Sequence, residues 1–224
     1  MGRAADFIAD IFLPNRCPCC GGFIKWDALL CGSCQDRLVY FDNSDSRPPK
    51  GCSASVSVFE FREPANQGIY ALKDGWGRNF VKFGAGKLAE ILSGSGADLV
   101  TCVPMAKRKR AERGFDQAEL IGRELAERLG LPFDAHILAR RPASLEQHAL
   151  SGADREEFAK ALYFIPEKHG DVSGKKLLLV DDVRTTGSTL SVCASLLLET
   201  GAAEVIAAAL CGTVLGAVDE SQAK

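Results

Sequence analysis

The sequence predicts an α/β fold: a doubly wound, mostly parallel sheet preceded by a small four-cysteine zinc ribbon. Three observations carry that expectation. Apolar, strand-like runs alternate with helical patterns from Ser55 to Leu210, the order that gives a parallel sheet with ligands at the strands' C-terminal ends. The apolar run Leu177 to Val180 ends in Asp181 and Asp182, and a Thr/Ser/Gly loop leads straight into an apolar helical pattern. Cys17, Cys20, Cys31 and Cys34 form two Cys-x2-Cys knuckles ten residues apart.

The first module spans residues 1–45. Phe7, Ile8, Ile11 and Phe12 recur at helical spacing and predict a short amphipathic helix. Four thiolates at the knuckle spacing suit a tetrahedral zinc ion with Zn–S bonds of about 2.3 Å, and a full cysteine set leaves no open coordination position, so the ion is structural. Cys19 is the ambiguous member, since it could replace Cys20 only by shortening the knuckle to one intervening residue. A segment this short has little core of its own, and metal binding would supply its folding free energy. The polar, Pro-containing stretch from Asp42 to Gly51 marks the boundary to the main domain, 52–215.

In the main domain, Ser55 to Phe61 alternates and predicts a strand. Ile69, Leu72, Phe80, Phe83, Leu88, Ile91 and Leu92 predict helix, broken at Gly75 and Gly77. Leu99 to Val103 is a short strand ending at Pro104. Asp116 to Leu129 is a helix with Ala118, Ile121, Leu125 and Leu129 on one face, a capping-box pattern in Asp116 and Glu119, and a stop at Gly130 and Pro132. His136 to Ala139 reads as a strand. Strand 177–180, a helix from Ser188 to Glu199 ended by Gly201, and a strand from Val205 to Leu210 complete the domain, and 216–224 is a polar tail.

Two segments carry chemistry. Asp181 and Asp182 can accept hydrogen bonds from a pair of sugar hydroxyls. The loop Val183, Arg184, Thr185, Thr186, Gly187, Ser188, Thr189 offers backbone N–H groups and hydroxyls at a helix N-terminus, where unpaired donors and the helix dipole favour a phosphate. A ligand that needs both is a ribose 5-phosphate. A capped strand-to-helix turn would account for one Asp or one Thr, not for two acids followed by four hydroxyl residues around a glycine. The second segment is a cationic loop after Val103, with Lys107, Arg108, Lys109, Arg110 and Arg113 opposed by Glu112. It opens on the same sheet edge, and Lys107, Arg108, Arg110 and Arg113 are placed to hold a diphosphate.

The stretch from Leu177 to Thr189 is similar to the phosphoribosyl-diphosphate (PRPP) motif of type I phosphoribosyltransferases. Pro104, Lys107, Arg110 and Arg113-Gly114-Phe115-Asp116-Gln117-Ala118-Glu119-Leu120, then Gln147, Leu150 and Arg155, resemble the ComF competence-associated family, with Asp116 where that family usually has Asn. The cysteine ribbon in front and the acidic loop behind complete its layout. The resemblance implies a type I phosphoribosyltransferase fold, a PRPP-like ligand with Mg²⁺, Asp181 and Asp182 as the catalytic pair, and a link to DNA uptake and single-stranded DNA processing. Two functions stand: transfer of a phosphoribosyl group to an acceptor, or a non-catalytic phosphoribosyl-binding module engaging single-stranded DNA or a DNA-processing protein. For DNA stacking the candidates are Phe115, Tyr163, Trp26 and Trp76.

Composition narrows the rest. The chain has 224 residues, 46% hydrophobic and 25% charged, with a net charge of −2, so it reads as soluble and globular and is no general polyanion binder. No apolar run approaches the ~18 residues of a membrane span. Asp6 and Asp10 disrupt any secretory signal pattern, and a cytoplasmic location is expected. Nine cysteines is an odd total that argues against a disulfide framework, and Cys102, Cys193 and Cys211 lie in apolar runs as buried small hydrophobes.

Overall fold

The structure is a computed structural model that describes residues 15–44, 47–142 and 162–214. The helix expected around Phe7–Phe12, the stretch with Gln147, Leu150 and Arg155, and the tail 216–224 lie outside the described residues.

The elements run α1 (Gly32–Arg37), β1 (Ala54–Glu60), α2 (Ala65–Lys73), α3 (Arg78–Leu92), β2 (Leu99–Cys102), α4 (Lys107–Arg113), α5 (Gln117–Leu129), β3 (Ala139–Arg140), β4 (Tyr163–Phe164), β5 (Lys176–Arg184), α6 (Ser188–Glu199) and β6 (Glu204–Gly212). Four strands form a parallel sheet in the order β1-β6-β5-β2. Both faces are covered. Along β5, Leu178 and Val180 enter one core with Leu88, Ile121 and Leu125, while Leu177 and Leu179 enter a second with Leu190, Cys193 and Leu197 of α6. A strand buried on both sides has to be apolar throughout, which is why 177–180 reads as an unbroken apolar run. Cys102, Cys193 and Cys211 are buried as expected.

Two expectations about strands change. β5 continues four residues past Val180, because Asp181, Val183 and Arg184 stay in register with Ala209, Cys211 and Gly212 of β6. The acids therefore sit on the strand itself, and the turn shortens to Thr185-Thr186-Gly187. The strand expected at His136–Ala139 is displaced to Ala139–Arg140, where it pairs antiparallel with Tyr163–Phe164 apart from the main sheet. The free side of β2 is taken by the preceding residues instead: Val100 N–H donates to Pro132 O at 3.0 Å and Asp134 N–H to Val100 O at 3.0 Å.

The ribbon does not hang from a free linker. Cys17, Cys19, Leu30, Cys34 and Leu38 belong to the same core as Phe59 and Phe80. Asn43 runs beside β1, donating to Ser57 O and accepting from Ser57 N–H, each at 2.9 Å. Asn79 of α3 donates to the Asn15 side chain at 2.8 Å. The Asn43 bonds, with Phe41 N–H on Val58 O and Glu60 N–H on Val39 O at 2.9 Å each, cover what would otherwise be the open edge at β1.

Candidate functional site

The sheet brings the two chemistry-bearing segments together. β2 and β5 are neighbours, with Cys102 opposite Val180 and Val103 N–H bonded to Val180 O at 2.9 Å. The chain leaving β2 thus passes directly beside Asp181. A cavity of about 240 Å³ opens there, lined by Asp181, Asp182, Lys73, Lys109, Arg113, Gln117 and Thr189 among others. A shallow hollow of about 30 Å³ adjoins it at Asp181 and is walled by Val183, Arg184, Thr185, Gly187, Ser188 and Thr189.

Each wall has a local cause. Gly187 caps α6 at φ 75°, a conformation other residues adopt at a cost, and a Cβ there would stand 3.0 Å from Pro49 Cγ. The Thr186 and Ser188 hydroxyls lie 3.1 Å apart at the start of the helix, beside the first-turn amides that an α-helix leaves without internal partners. Val183 and Arg184 also line the hollow. The Arg184 guanidinium is buried, donates from Nε to Ser57 Oγ at 3.3 Å and lies over the Phe41 ring at 5.0 Å.

The expected cationic loop is a helix, α4. Lys, Arg, Ala and Glu are all good helix formers, and Gly114 at φ 80° ends the helix with its N–H on Arg110 O at 2.8 Å. The helix sorts its charges by face. Lys109 and Arg113 line the cavity with the two acids. Lys107 and Arg110 line a second cavity of about 500 Å³ on the other side. Arg108 lines neither: its side chain is 85% exposed and pairs with Glu112 at 2.8 Å. Asp116 closes the wall between the cavities. It caps α5 by accepting from Glu119 N–H at 3.3 Å and also accepts from Met105 N–H at 2.9 Å. The Glu119 carboxylate does not return to the cap but pairs with Arg110 at 2.9 Å and Arg123 at 2.8 Å.

Three cavity residues were missed in the sequence. Lys73, at the end of α2, lies 3.6 Å from Asp182. Gln117 is 2% exposed, and its amide nitrogen has no hydrogen-bond partner among the described residues. Arg140 of β3 lines both cavities and lies over the Tyr163 ring at 5.5 Å. No local pattern singles out Lys73 or Arg140. Gln117, polar and at the first position of an amphipathic helix, carried a weak signal.

The profile described as "Phosphoribosyl transferase domain" matches residues 111–222. The chain belongs to that family. It is 31% identical over 208 residues to "DNA utilization protein YhgH" of Salmonella typhimurium, covering 89% of this chain and 85% of that protein. Against the protein of the same name in Escherichia coli K12 the identity is 30% over 206 residues, covering 88% and 84%. "Competence protein ComFC" of Bacillus subtilis is 31% identical over 169 residues, covering 75% of this chain and 60% of that one. The family expected from the ordered motifs is therefore the one found, with the phosphoribosyltransferase-type fold on its parallel sheet.

In this phosphoribosyltransferase domain the two acids differ. Burial first, and the Asp182 charge second, push the Asp181 carboxyl well above the usual aspartate range, although Asp182 N–H donates to its Oδ1 at 2.8 Å. Asp182 has Lys73 beside it. Burial likewise raises Asp116. Tyr163, a candidate for stacking, is 6% exposed, and its ring is part of the core.

The ribbon supplies a candidate metal site. The Sγ atoms of Cys17, Cys20, Cys31 and Cys34 all lie within 4.8 Å of one another. Cys20 and Cys31 Sγ are 3.7 Å apart, which matches the edge of about 3.8 Å for a tetrahedron with Zn–S bonds of about 2.3 Å. Cys19 is not in the cluster and is buried in the core behind it. Burial raises the Cys34 thiol, while the Ser33 hydroxyl foremost lowers Cys31. Four thiols crowded this way fit a zinc-type metal, whose charge lets all of them ionise.

Proposed function

We propose that the edge formed by β2 and β5 binds PRPP with Mg²⁺ and that the protein transfers the phosphoribosyl group to an acceptor. One observation carries this: two carboxylates and the cations Lys73, Lys109 and Arg113 face a single cavity that runs on into the Thr185–Thr189 hollow. In this reading Asp181 and Asp182 hold the ribose O2 and O3. Backbone N–H groups of the turn, with the Thr185, Thr186, Ser188 and Thr189 hydroxyls, hold the 5-phosphate. Lys109 and Arg113 take the diphosphate and stabilise the charge that grows as its bond to C1 breaks. Lys107 and Arg110, expected at the diphosphate, belong to the neighbouring cavity. Two adjacent hard carboxylates lining one cavity, Asp181 raised first by burial and then by the Asp182 charge, fit a divalent cation. When bound, Mg²⁺ would neutralise diphosphate charge.

Calorimetric titration with PRPP and Mg²⁺ tests the reading. Asp181→Asn with Asp182→Asn is expected to weaken binding roughly tenfold or more at a melting temperature no lower than that of the unaltered chain. Equal binding by the double variant would overturn it.

A second reading, a non-catalytic module for single-stranded DNA, draws on exposed aromatics. Phe23 and Trp26 of the ribbon and Trp76 are all solvent-exposed, and Arg16 lies 4.4 Å over the Phe23 ring. Bases stack on such surfaces, and the relatives are named for DNA utilization and competence. Salt-dependent binding of single-stranded DNA that is lost in Phe23→Ala with Trp26→Ala would favour it. We divide the chain into a zinc ribbon at 1–45 and a phosphoribosyltransferase domain at 52–215, and place it in the cytoplasm, where thiolates stay reduced. Among the described residues no helix is long and apolar enough to cross a membrane.

A further inference from the structure

We infer that Lys73 is a built-in counter-cation of the acidic edge: its ammonium holds Asp182 in the free protein, competes there with a divalent cation, and passes to the anionic end of the ligand when that arrives. Lys73 Nζ lies 3.6 Å from Asp182 Oδ2, and both side chains line the cavity of about 240 Å³. Among the described residues Asp182 is the acid that Lys73 pairs with, and no other cation pairs with Asp181 or Asp182. Lys109 and Arg113 of the same cavity take the diphosphate in the proposed reading, which leaves the Lys73 charge without a part. A basic residue in the last turn of α2 offsets the helix dipole, but the dipole does not require its head to reach a carboxylate on β5.

The backbone of Lys73 and its head are held differently. Ile69 and Leu72 are buried, Gly75 N–H donates to Leu72 O at 3.1 Å and Gly77 N–H donates to Ala71 O at 3.0 Å. Gly75 takes φ 93°, and a Cβ on Gly77 would run into the Leu72 backbone. The chain after Lys73 therefore folds tightly back on α2 and fixes where the side chain starts. The ammonium itself rides on a flexible four-carbon stem. The Lys73 and Asp182 side chains are 32% and 19% exposed, so their contact opens into the cavity without backbone movement. An ammonium and a hard divalent cation seek the same carboxylate oxygens and repel each other there. Lys73 thus weakens cation binding at the empty edge, and a diphosphate that draws the ammonium off Asp182 lifts that competition. The competition rests on the ion pair and the cavity alone, while the passage to the ligand rests on the proposed reading of that cavity as the PRPP site.

The test is calorimetric titration of the full chain, first with Mg²⁺ alone and then with PRPP at saturating Mg²⁺. Mg²⁺ reads the edge and not the ribbon, because it prefers carboxylate oxygens to thiolates. Lys73→Gln is expected to tighten Mg²⁺ binding by roughly fivefold or more and to weaken PRPP binding severalfold. Lys73→Arg keeps the charge and is expected to bring Mg²⁺ affinity back to the wild-type level. Adding Asp181→Asn and Asp182→Asn to Lys73→Gln is expected to abolish the gain. Mg²⁺ affinity that does not differ between wild type and Lys73→Gln, absence of binding in both included, would overturn the inference. So would a gain that persists in Lys73→Arg or without the two acids. A gain in Mg²⁺ affinity with PRPP binding unchanged would overturn the passage of the ammonium to the ligand. A chain whose Mg²⁺ binding responds to Lys73 in the expected way, but which binds no PRPP, would keep Lys73 as the counter-cation and remove the proposed function.

Discussion

The cysteine cluster and the acidic edge are both sets of donors waiting for a cation or a ligand, and the chain assembles them in opposite ways. The four sulfurs come from residues 17–34, held by tight local turns such as Gly21 N–H on Cys17 O at 2.8 Å and Cys34 N–H on Cys31 O at 3.2 Å. The edge draws on α2, α4, α5, β5 and α6, which meet because a parallel sheet gathers its strand ends on one side, and on the separate β3–β4 pair beside it. A segment without its own core has to place its ligands locally. A domain with a core can bring them from anywhere in the chain.

The largest expected effect breaks or confirms the ribbon's half of that contrast. Zinc held by the four cysteines would contribute a binding free energy of the order of 10–16 kcal/mol, as in zinc-finger peptides, and a strong chelator would take it away. Because Cys17 and Cys34 share a core with Phe59 and Phe80, the whole chain's melting temperature is expected to fall, as read by circular dichroism. An unmoved main transition would make the ribbon an independent unit.

Next is the proton dependence of the edge. The Asp181 carboxyl is raised by burial and then by Asp182, so the folded chain favours its protonated form. Its contribution to stability is full below the unfolded value near 3.8 and is lost as pH rises through the higher folded value. Ligand binding runs the other way, since it needs the carboxylate: PRPP affinity is expected to rise with pH through that ionisation. Asp182→Asn removes the like charge and is expected to move the profile to lower pH. A profile that stays in place would mean that the two carboxylates do not interact.

Smaller effects sharpen the edge's assembly. Gln117→Leu removes an amide donor with no partner in the described structure. It is expected to weaken PRPP binding severalfold with little loss of stability, whereas an unchanged affinity would make Gln117 a bystander. Asp116→Ala removes a helix cap and is expected to cost about 1 kcal/mol in chemical denaturation.

The same contrast explains what could be read from the sequence. The ribbon ligands, the acids, the turn and α6 are fixed by neighbours in the chain, and each was legible from spacing. The length of β5 was not, because Asp181 to Arg184 are polar or mixed and stay in the sheet through pairing with β6. The sorting of Lys107 and Arg110 from Lys109 and Arg113 required knowing that the segment is a helix with a cavity on each side. Lys73 meets Asp182 through tertiary packing alone.

Hydrogen exchange measured with and without PRPP and Mg²⁺ tests the central claim most directly. Protection is expected in the segment 181–190 and in 103–117, the two stretches that the sheet brings side by side, with the ribbon unchanged. Ligand-dependent protection elsewhere, with 181–190 exchanging as in the free protein, would contradict it.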